Sequence, residues 1–544
     1  MQRKIVAKTF RLGEEDKLFN FRPVFFAAVF LCLGIVFGYY TCIKGASAWW
    51  YLLLLPISAF PLLFCKKRRA ARTLCAVLAL SACFFLGVGS FNAQIARFGD
   101  CTRYDGVYDI SGEVCDISEN GNMISVELNR ISIAGKSEKG KLVAYLPASF
   151  YKNLQIADKI VFRAHVQTDA AVENELGLRE GEIHDKIRFR AAYAESVGKA
   201  GKSTDLFLRV RGRMRAVLFE NTDETTASVT LALLTGDRAK MDYELLDNIR
   251  AGGIAHIFAV SGLHVGALYA FCALLVSKTV LKNFQNGFRL AFVCTVLFLY
   301  AGICGFSASV VRASVMCLAI FGGGLIGIST DPLERVGVAA LAVLALSPVQ
   351  LFSVGFQLSF LACLGIVLFY RPTEKGLRFA LGIKEAADAA DRPLRISERI
   401  RNAVLSLVAV SLSAQTATSP VLLSAYGYLS GWSLLLNCLF VPLISATFSL
   451  LLIFTALACV FPWAAGVLLY CPSVFLSFIL LLFEAADFSS FALRGIRLSI
   501  GGMLCYYASF VFLTDKWNIP KALKGLLSVL CFFAFGVTVF ALNL

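Results

Sequence analysis

AHIFAVSGLHVGALYAF, residues 255–271, is the stretch whose reading decides the fold. Its apolar density is that of a segment made for lipid, yet it holds His256, Ser261 and His264 in a chain with only 4 histidines. Polar groups facing hydrocarbon are costly, so such a segment belongs in a bundle where they turn toward other helices or a water-filled cavity. Gly262 permits close backbone approach or a local break in the helix.

The composition agrees with that setting. Of 544 residues, 58% are hydrophobic and 16% charged, too little polar surface for a soluble chain of this length. The net charge of +15 is what Lys and Arg in cytoplasmic loops produce, so it is no nucleic-acid signal by itself. Most of the 17 cysteines lie in apolar runs, where a thiol behaves as a small hydrophobe. Cys101 and Cys115 fall in a polar region, and a disulfide between them is an open possibility.

Apolar runs of about 20 residues mark membrane spans. The first three cover about 23–40, 47–64 and 74–93, and form an N-terminal region 1–99. The cluster Lys66-Lys67-Arg68-Arg69 marks the second connection as cytoplasmic, so the third span delivers residues 100–205 to the outside. The first apolar run is read as a retained span, because the segment before it is too long and too acidic for a signal peptide.

Residues 100–205 change character. GVYDISGEVCDI, NMISVELNRISI and ADKIVFRAHVQ alternate apolar with polar, and Ser118-Glu119-Asn120-Gly121 reads as a turn. This predicts a small antiparallel barrel of OB type. Its acids slightly outnumber its bases, unlike a strong nucleic-acid binder. Tyr104, Tyr108, Tyr145 and Tyr151 are candidates for base stacking, with core packing an equal reading.

Residues 206–253 are expected to form interfacial amphipathic helices, with Arg209, Arg211, Arg213 and Arg215 turned to headgroups. Gly236 and the pair Gly252-Gly253 would close the two short helices that follow. Spans are then expected at about 254–276, 289–304, 309–328, 334–347, 351–370, 403–424, 430–456, 461–484, 498–514 and 522–542. The polar interruption 371–402, rich in Arg and Lys, is placed in the cytoplasm. Arg494 and Arg497 fall outside in this count. The fold expected is thus a polytopic α-helical membrane protein with an extracytoplasmic OB-like β-barrel inserted after the third span.

AGKST at 200–204 lacks the preceding glycine of a phosphate loop, and there is no metal-binding spacing, so neither cofactor nor metal is expected. On one helix, Ser261 and His264 would share a face, with His256 about 80° round from His264. A Ser261–His264 hydrolase would need an acid such as Asp237 and an oxyanion hole, and the Gly-x-Ser-x-Gly elbow is missing. The other readings are helix-to-helix bonding and a polar lining to a pathway. Arg312 in GFSASVVRASVM, Gln357 and Ser359 in VGFQLSF, and Gln415 in SAQTATSP put similar groups in other spans. An intramembrane arginine is a functional candidate by default.

LALLTGDR (231–238), RAGGIAH (250–256) and AVSGLH (259–264), with RASVM (312–316), SPVQLFSVGFQLSFLA (347–362) and SAQTATSP (413–420), resemble the signature of ComEC-type competence proteins. These form the inner-membrane channel through which one DNA strand enters a transforming bacterium. The resemblance implies a multi-span channel domain over 254–544 and no enzymatic activity. It also implies pathway roles for Asp237, Arg238, Arg250, His256, Ser261, Gly262, His264, Arg312, Gln357, Ser359 and Gln415. The expected partners are single-stranded DNA, membrane lipid, a DNA receptor, a separate nuclease and a cytoplasmic ATPase. The chain ends at Leu544 without the metallo-β-lactamase-like domain of many members, and Ala308-Ser309 replaces a Pro-Ser pair before the span arginine. A transporter for another polar solute is the alternative.

Overall fold

The computed structural model describes residues 22–42, 68–99, 102–120, 123–147, 154–168, 187–192, 197–238, 240–258, 260–325, 331–383, 396–484, 492–494, 498–513 and 520–543. The expected second span, the Lys66-Lys67 cluster, Cys101, Tyr151 and Arg497 lie outside these residues.

Helices α1 (Pro23–Cys42) and α2 (Arg68–Gly99) pack through glycines. A methyl on Gly34 would strike the Phe84 carbonyl, and one on Gly38 would meet Val88 Cα at 3.3 Å. This register, rising together along both helices, makes them parallel, as the first and third of three spans would be. Backbone approach this close is how membrane helices gain packing energy where lipid offers no hydrophobic drive. The start of α1 is fixed by Glu334, whose Oε2 accepts the N–H of Val24 at 3.1 Å, and by Arg22 paired with Asp331 at 2.9 Å.

The barrel is built from β1 (Asp105–Asn120), β2 (Met123–Ile133), β3 (Lys136–Ser137), β4 (Lys141–Pro147), β5 (Asp158–Thr168), β6 (Ile187–Ala192) and β7 (Val197–Lys202). Strand β1 pairs with β2 along one part and with β5 along another, and its register shifts near Ser111 and Val114. Such bulges bend a strand enough to serve two sheets. Strands β4 and β6 pair in parallel, and β6 pairs with β5 antiparallel. The ring β1-β2-β4-β6-β5-β1 therefore closes, the five-stranded arrangement of an OB-like barrel. Alternate residues face in, so Val114, Val126, Leu128, Leu142 and Ile160 fill the interior. Tyr104 joins that core at 6% exposure and is bonded to Glu138, so it is no stacking platform.

Helices α3 (Leu206–Asn221), α4 (Glu224–Thr235) and α5 (Tyr243–Ala251) connect barrel to membrane. Asp205 and Asp223 cap the first two, accepting amide protons of the opening turns. Gly236 at φ 83° closes α4, as its sequence position predicts. The interfacial expectation fails for α4, which is buried on every side from Thr226 to Thr235. Two of its hydroxyls are spent internally, Ser228 on the Thr225 carbonyl and Thr235 on the Leu231 carbonyl, and Thr226 meets Ser477 at 3.1 Å, while the buried Thr230 hydroxyl has no partner among the described residues. The arginines of α3 divide too: Arg209 and Arg213 are exposed, whereas Arg211 and Arg215 turn inward to an acid.

The membrane part continues with α6 (Gly262–Lys278), α7 (Asn286–Ile303), α8 (Ala308–Leu325), α9 (Pro332–Leu346), α10 (Val354–Ala380) and α11 (Ile396–Tyr426). After β8 (Tyr428–Ser430) come α12 (Ser433–Val460), α13 (Ala465–Glu484), β9 (Ala492–Arg494), α14 (Ile500–Leu513) and α15 (Lys521–Asn543). Among the described residues 8 helices are long and apolar enough to cross a membrane, and the chain is a polytopic helical membrane protein. Helix α10 runs past Pro372 to Ala380 and α11 starts at Ile396, so both ends of the expected loop 371–402 are helical. The i,i+4 pair Glu374–Arg378, at 2.8 Å, supports that extension beyond the apolar stretch.

Candidate functional site

The segment quoted first is not one helix. Gly252-Gly253 ends α5, Gly253 taking φ 73°, and α6 begins only at Gly262 with Ser261 as its N-cap. His256 therefore sits in irregular chain and stays exposed, while His264 lies in the first turn of α6 and is fully buried. The shared-face argument holds for Ser261 and His264 only through this cap.

His264 Nδ1 accepts the backbone N–H of Ser261 at 3.2 Å. The ring proton is then on Nε2, which is buried and has no hydrogen-bond partner among the described residues. One face of the imidazole stacks on Phe448 of α12, centroids 4.3 Å apart. A Ser–His dyad would need the histidine to accept from the Ser261 hydroxyl, and here it accepts from the amide instead. Asp237, the acid suggested for such a dyad, is held by Arg215 at 3.5 Å and Arg211 at 3.8 Å.

Three stretches distant in sequence meet at Arg312. Its Nη1 donates to the Ser359 carbonyl and, at 3.0 Å, to Cys363 Sγ, and the guanidinium lies 5.6 Å from the Phe360 ring centroid. A methyl on Gly262 would be 3.0 Å from Nη2, so glycine leaves the room that the guanidinium occupies. The Ser309 and Ser359 hydroxyls are 3.2 Å apart beside it. Helix α8 begins at Ala308, so Ser309 and Arg312 stand in its opening turns without a proline. Arg312 is 5% exposed, and among the described residues no carboxylate pairs with it. A buried cation without a counter-charge is expensive, and a hydrogen-bonded site of this kind is suited to receive an anion.

A second group of cations lies where α5 meets β8. Arg238 Nη2 donates to the Ala255 carbonyl at 3.3 Å, and burial, then the like charge of Arg250, lowers its guanidinium pKa. Arg250 is exposed, and its carbonyl accepts the Tyr428 hydroxyl at 3.0 Å. Strand β9 pairs Arg494 with Tyr428, placing that backbone at the same end. Tyr426, 57% exposed, lies close to Arg238.

The remaining candidates stand apart from Arg312. Gln357 donates to the Leu351 carbonyl at 3.2 Å, closing the turn before α10. Gln415 sits inside α11, its Nε2 buried and without a partner among the described residues. Cys115 is a buried free thiol 3.2 Å from the Glu127 carbonyl, its pKa raised to about 12 chiefly by burial. Sequence reading passed over Cys363 and Phe360, which follow Ser359 by four residues and one, and only the helical register of α10 singles them out.

Residues 233–519 match the protein family described as Competence protein. The chain is 28% identical over 219 residues to ComE operon protein 3 of Bacillus subtilis (strain 168), covering 40% of this chain and 24% of that one. It is 32% identical over 116 residues to Uncharacterized protein MG316 homolog of Mycoplasma pneumoniae, covering 21% of this chain and 28% of that one. The matches thus span about a quarter of each relative's own length. No solved structure matches.

Proposed function

Because this chain belongs to the competence protein family, we propose that it carries single-stranded DNA across the bacterial cytoplasmic membrane during transformation. The observation that carries the reading is the convergence of Gly262 and Ser359 on the buried Arg312 guanidinium, with which no carboxylate pairs among the described residues. A nucleic-acid strand brings one negative charge per nucleotide into a region where charge is costly, and fixed donors along a hydrated route lower that barrier. Weak, repeated sites let the strand leave as readily as it enters.

In this reading Arg238, Arg250 and His256, with Tyr426 close to Arg238, receive the strand at the barrel end, and Arg312 with His264 acts deeper in the bundle. The basic pair would attract phosphates, and the tyrosine offers a stacking face. Asp237 has a structural part, fastening α4 to α3. The receptor, nuclease and ATPase that the family resemblance implies belong to the same proposal.

The test is internalisation of labelled DNA by a host deleted for this gene, complemented with wild type, Arg312→Gln or His264→Ala. Loss in the deletion, recovery with wild type and failure with Arg312→Gln are expected. Normal internalisation by the deletion strain would sink the reading and favour transport of another polar solute.

A further inference from the structure

The side of Arg312 that the protein leaves unused has the shape of an oxyanion receptor. Nη1 is engaged by the Ser359 carbonyl and Cys363 Sγ, whereas Nε is buried with no acceptor and Nη2 donates to nothing among the described residues. Nε–H and Nη2–H are parallel donors along one edge, the pair that two oxygens of a phosphate or carboxylate take together.

That edge is beside the start of a helix. Nη2 lies 3.0 Å from where a Cβ of Gly262 would be, and Gly262 is the first residue of the 17-residue α6. The amides of Gly262 and Leu263 have no carbonyl one turn earlier within the helix, and the α6 dipole adds positive potential at the same place. The amide that a side chain does satisfy is that of Ser261, taken by His264 Nδ1. A buried guanidinium aimed at a helix N-terminus, both positive and with no acid supplied by the described residues, is complementary to one anion.

We propose that Arg312 and the first turn of α6 form a binding site for a single phosphodiester group, held bidentately by Nε and Nη2 and by the Gly262 and Leu263 amides. The proposal rests on the DNA-transport reading and adds to it: the strand is gripped one phosphate at a time through its backbone charge, whatever the base. Glycine at 262 is required because any side chain there occupies the space beside Nη2. Lysine cannot replace Arg312, since a point charge lacks the two-donor edge.

The experiment uses the full chain in lipid nanodiscs and a fluorescein-labelled twelve-residue oligothymidylate, with binding read by anisotropy. Inorganic phosphate should compete, and a methylphosphonate oligothymidylate, whose backbone is uncharged, should not bind. Arg312→Lys and Gly262→Ala should each weaken binding on the order of tenfold, the scale of one bidentate contact. Thermal melting shows which variants are folded, and either one suffices for the comparison. Unchanged affinity in a folded variant, or equal binding of the methylphosphonate strand, overturns the site. Failure here and failure of the transport reading look different. Arg312-dependent phosphate binding with normal DNA entry in the deletion strain removes DNA and keeps an oxyanion site. No binding of either probe by wild type, with entry abolished in the deletion strain, removes the site and keeps the transport reading.

Discussion

The hydroxyl of Tyr506 donates to the carbonyl of Thr416 at 2.9 Å. That carbonyl is the one Pro420 leaves without a donor, since proline has no N–H to return four residues back along α11. The Tyr507 hydroxyl donates to the next carbonyl, that of Ala417, also at 2.9 Å. Helix α14 thus repairs a break in α11 within SAQTATSP, at a depth where water cannot.

Tyr506→Phe is expected to lower stability by about 1–3 kcal/mol, the cost of an orphaned buried carbonyl. Thermal unfolding in detergent reads this directly. An unchanged melting temperature would mean that the carbonyl finds another donor.

Gly365→Ala should cost a similar amount for a different reason. A methyl there would lie 2.5 Å from the Ser413 carbonyl and 2.6 Å from Ala417 Cβ, so α10 and α11 would have to separate. Overpacking of this kind costs about 1–3 kcal/mol. Residual DNA entry and melting temperature should fall together, whereas Arg312→Lys should lower entry and leave melting near wild type.

Asp237→Asn removes the acid shared by Arg211 and Arg215, whose side chains are 16% and 12% exposed. Two confined guanidinium groups that lose the acid they share should cost on the order of 3 kcal/mol. The same loss should follow from the double change Arg211→Gln and Arg215→Gln. In the triple variant the losses should be far from additive.

Asp116 of β1 feels the charges beyond the barrel, and its pKa is raised to about 6 by burial first and by the charge of Asp237 next, against the pull of Arg211. Glu127 adds a smaller push in the same direction. A carboxyl raised in the folded state binds its proton more tightly there than in the unfolded chain. Its contribution is therefore fully present below pH 3.8, and is lost as pH rises through about 6. Asp116→Asn should melt above wild type at pH 7 and close to it at pH 4, and equal differences at both would refute the assignment.

Much of this was legible in the residues. The barrel follows from period-2 alternation, and the end of α4 from Gly236. Gly262, Arg312 and Ser359 come together in space, whereas Gln357 and Gln415 stand apart from them. The start of α6 at Gly262 was not legible, because residues 254–261 are as apolar as the helix itself and periodicity cannot see a cap between like flanks. The inward turn of Arg211 and Arg215 depends on an acid more than twenty residues away, and Tyr506 on a partner 90 residues away. Local pattern carries neither distance.

Strands β8 and β9 are three residues each, with Tyr428 opposite Arg494 and Ser430 opposite Ala492. Between them the chain makes the whole outward and return journey of α12 and α13. The strap ties the feet of that hairpin together, and the tight turn Pro462–Ala464 ties its tip, so the two legs are fastened at both ends like the sides of a ladder.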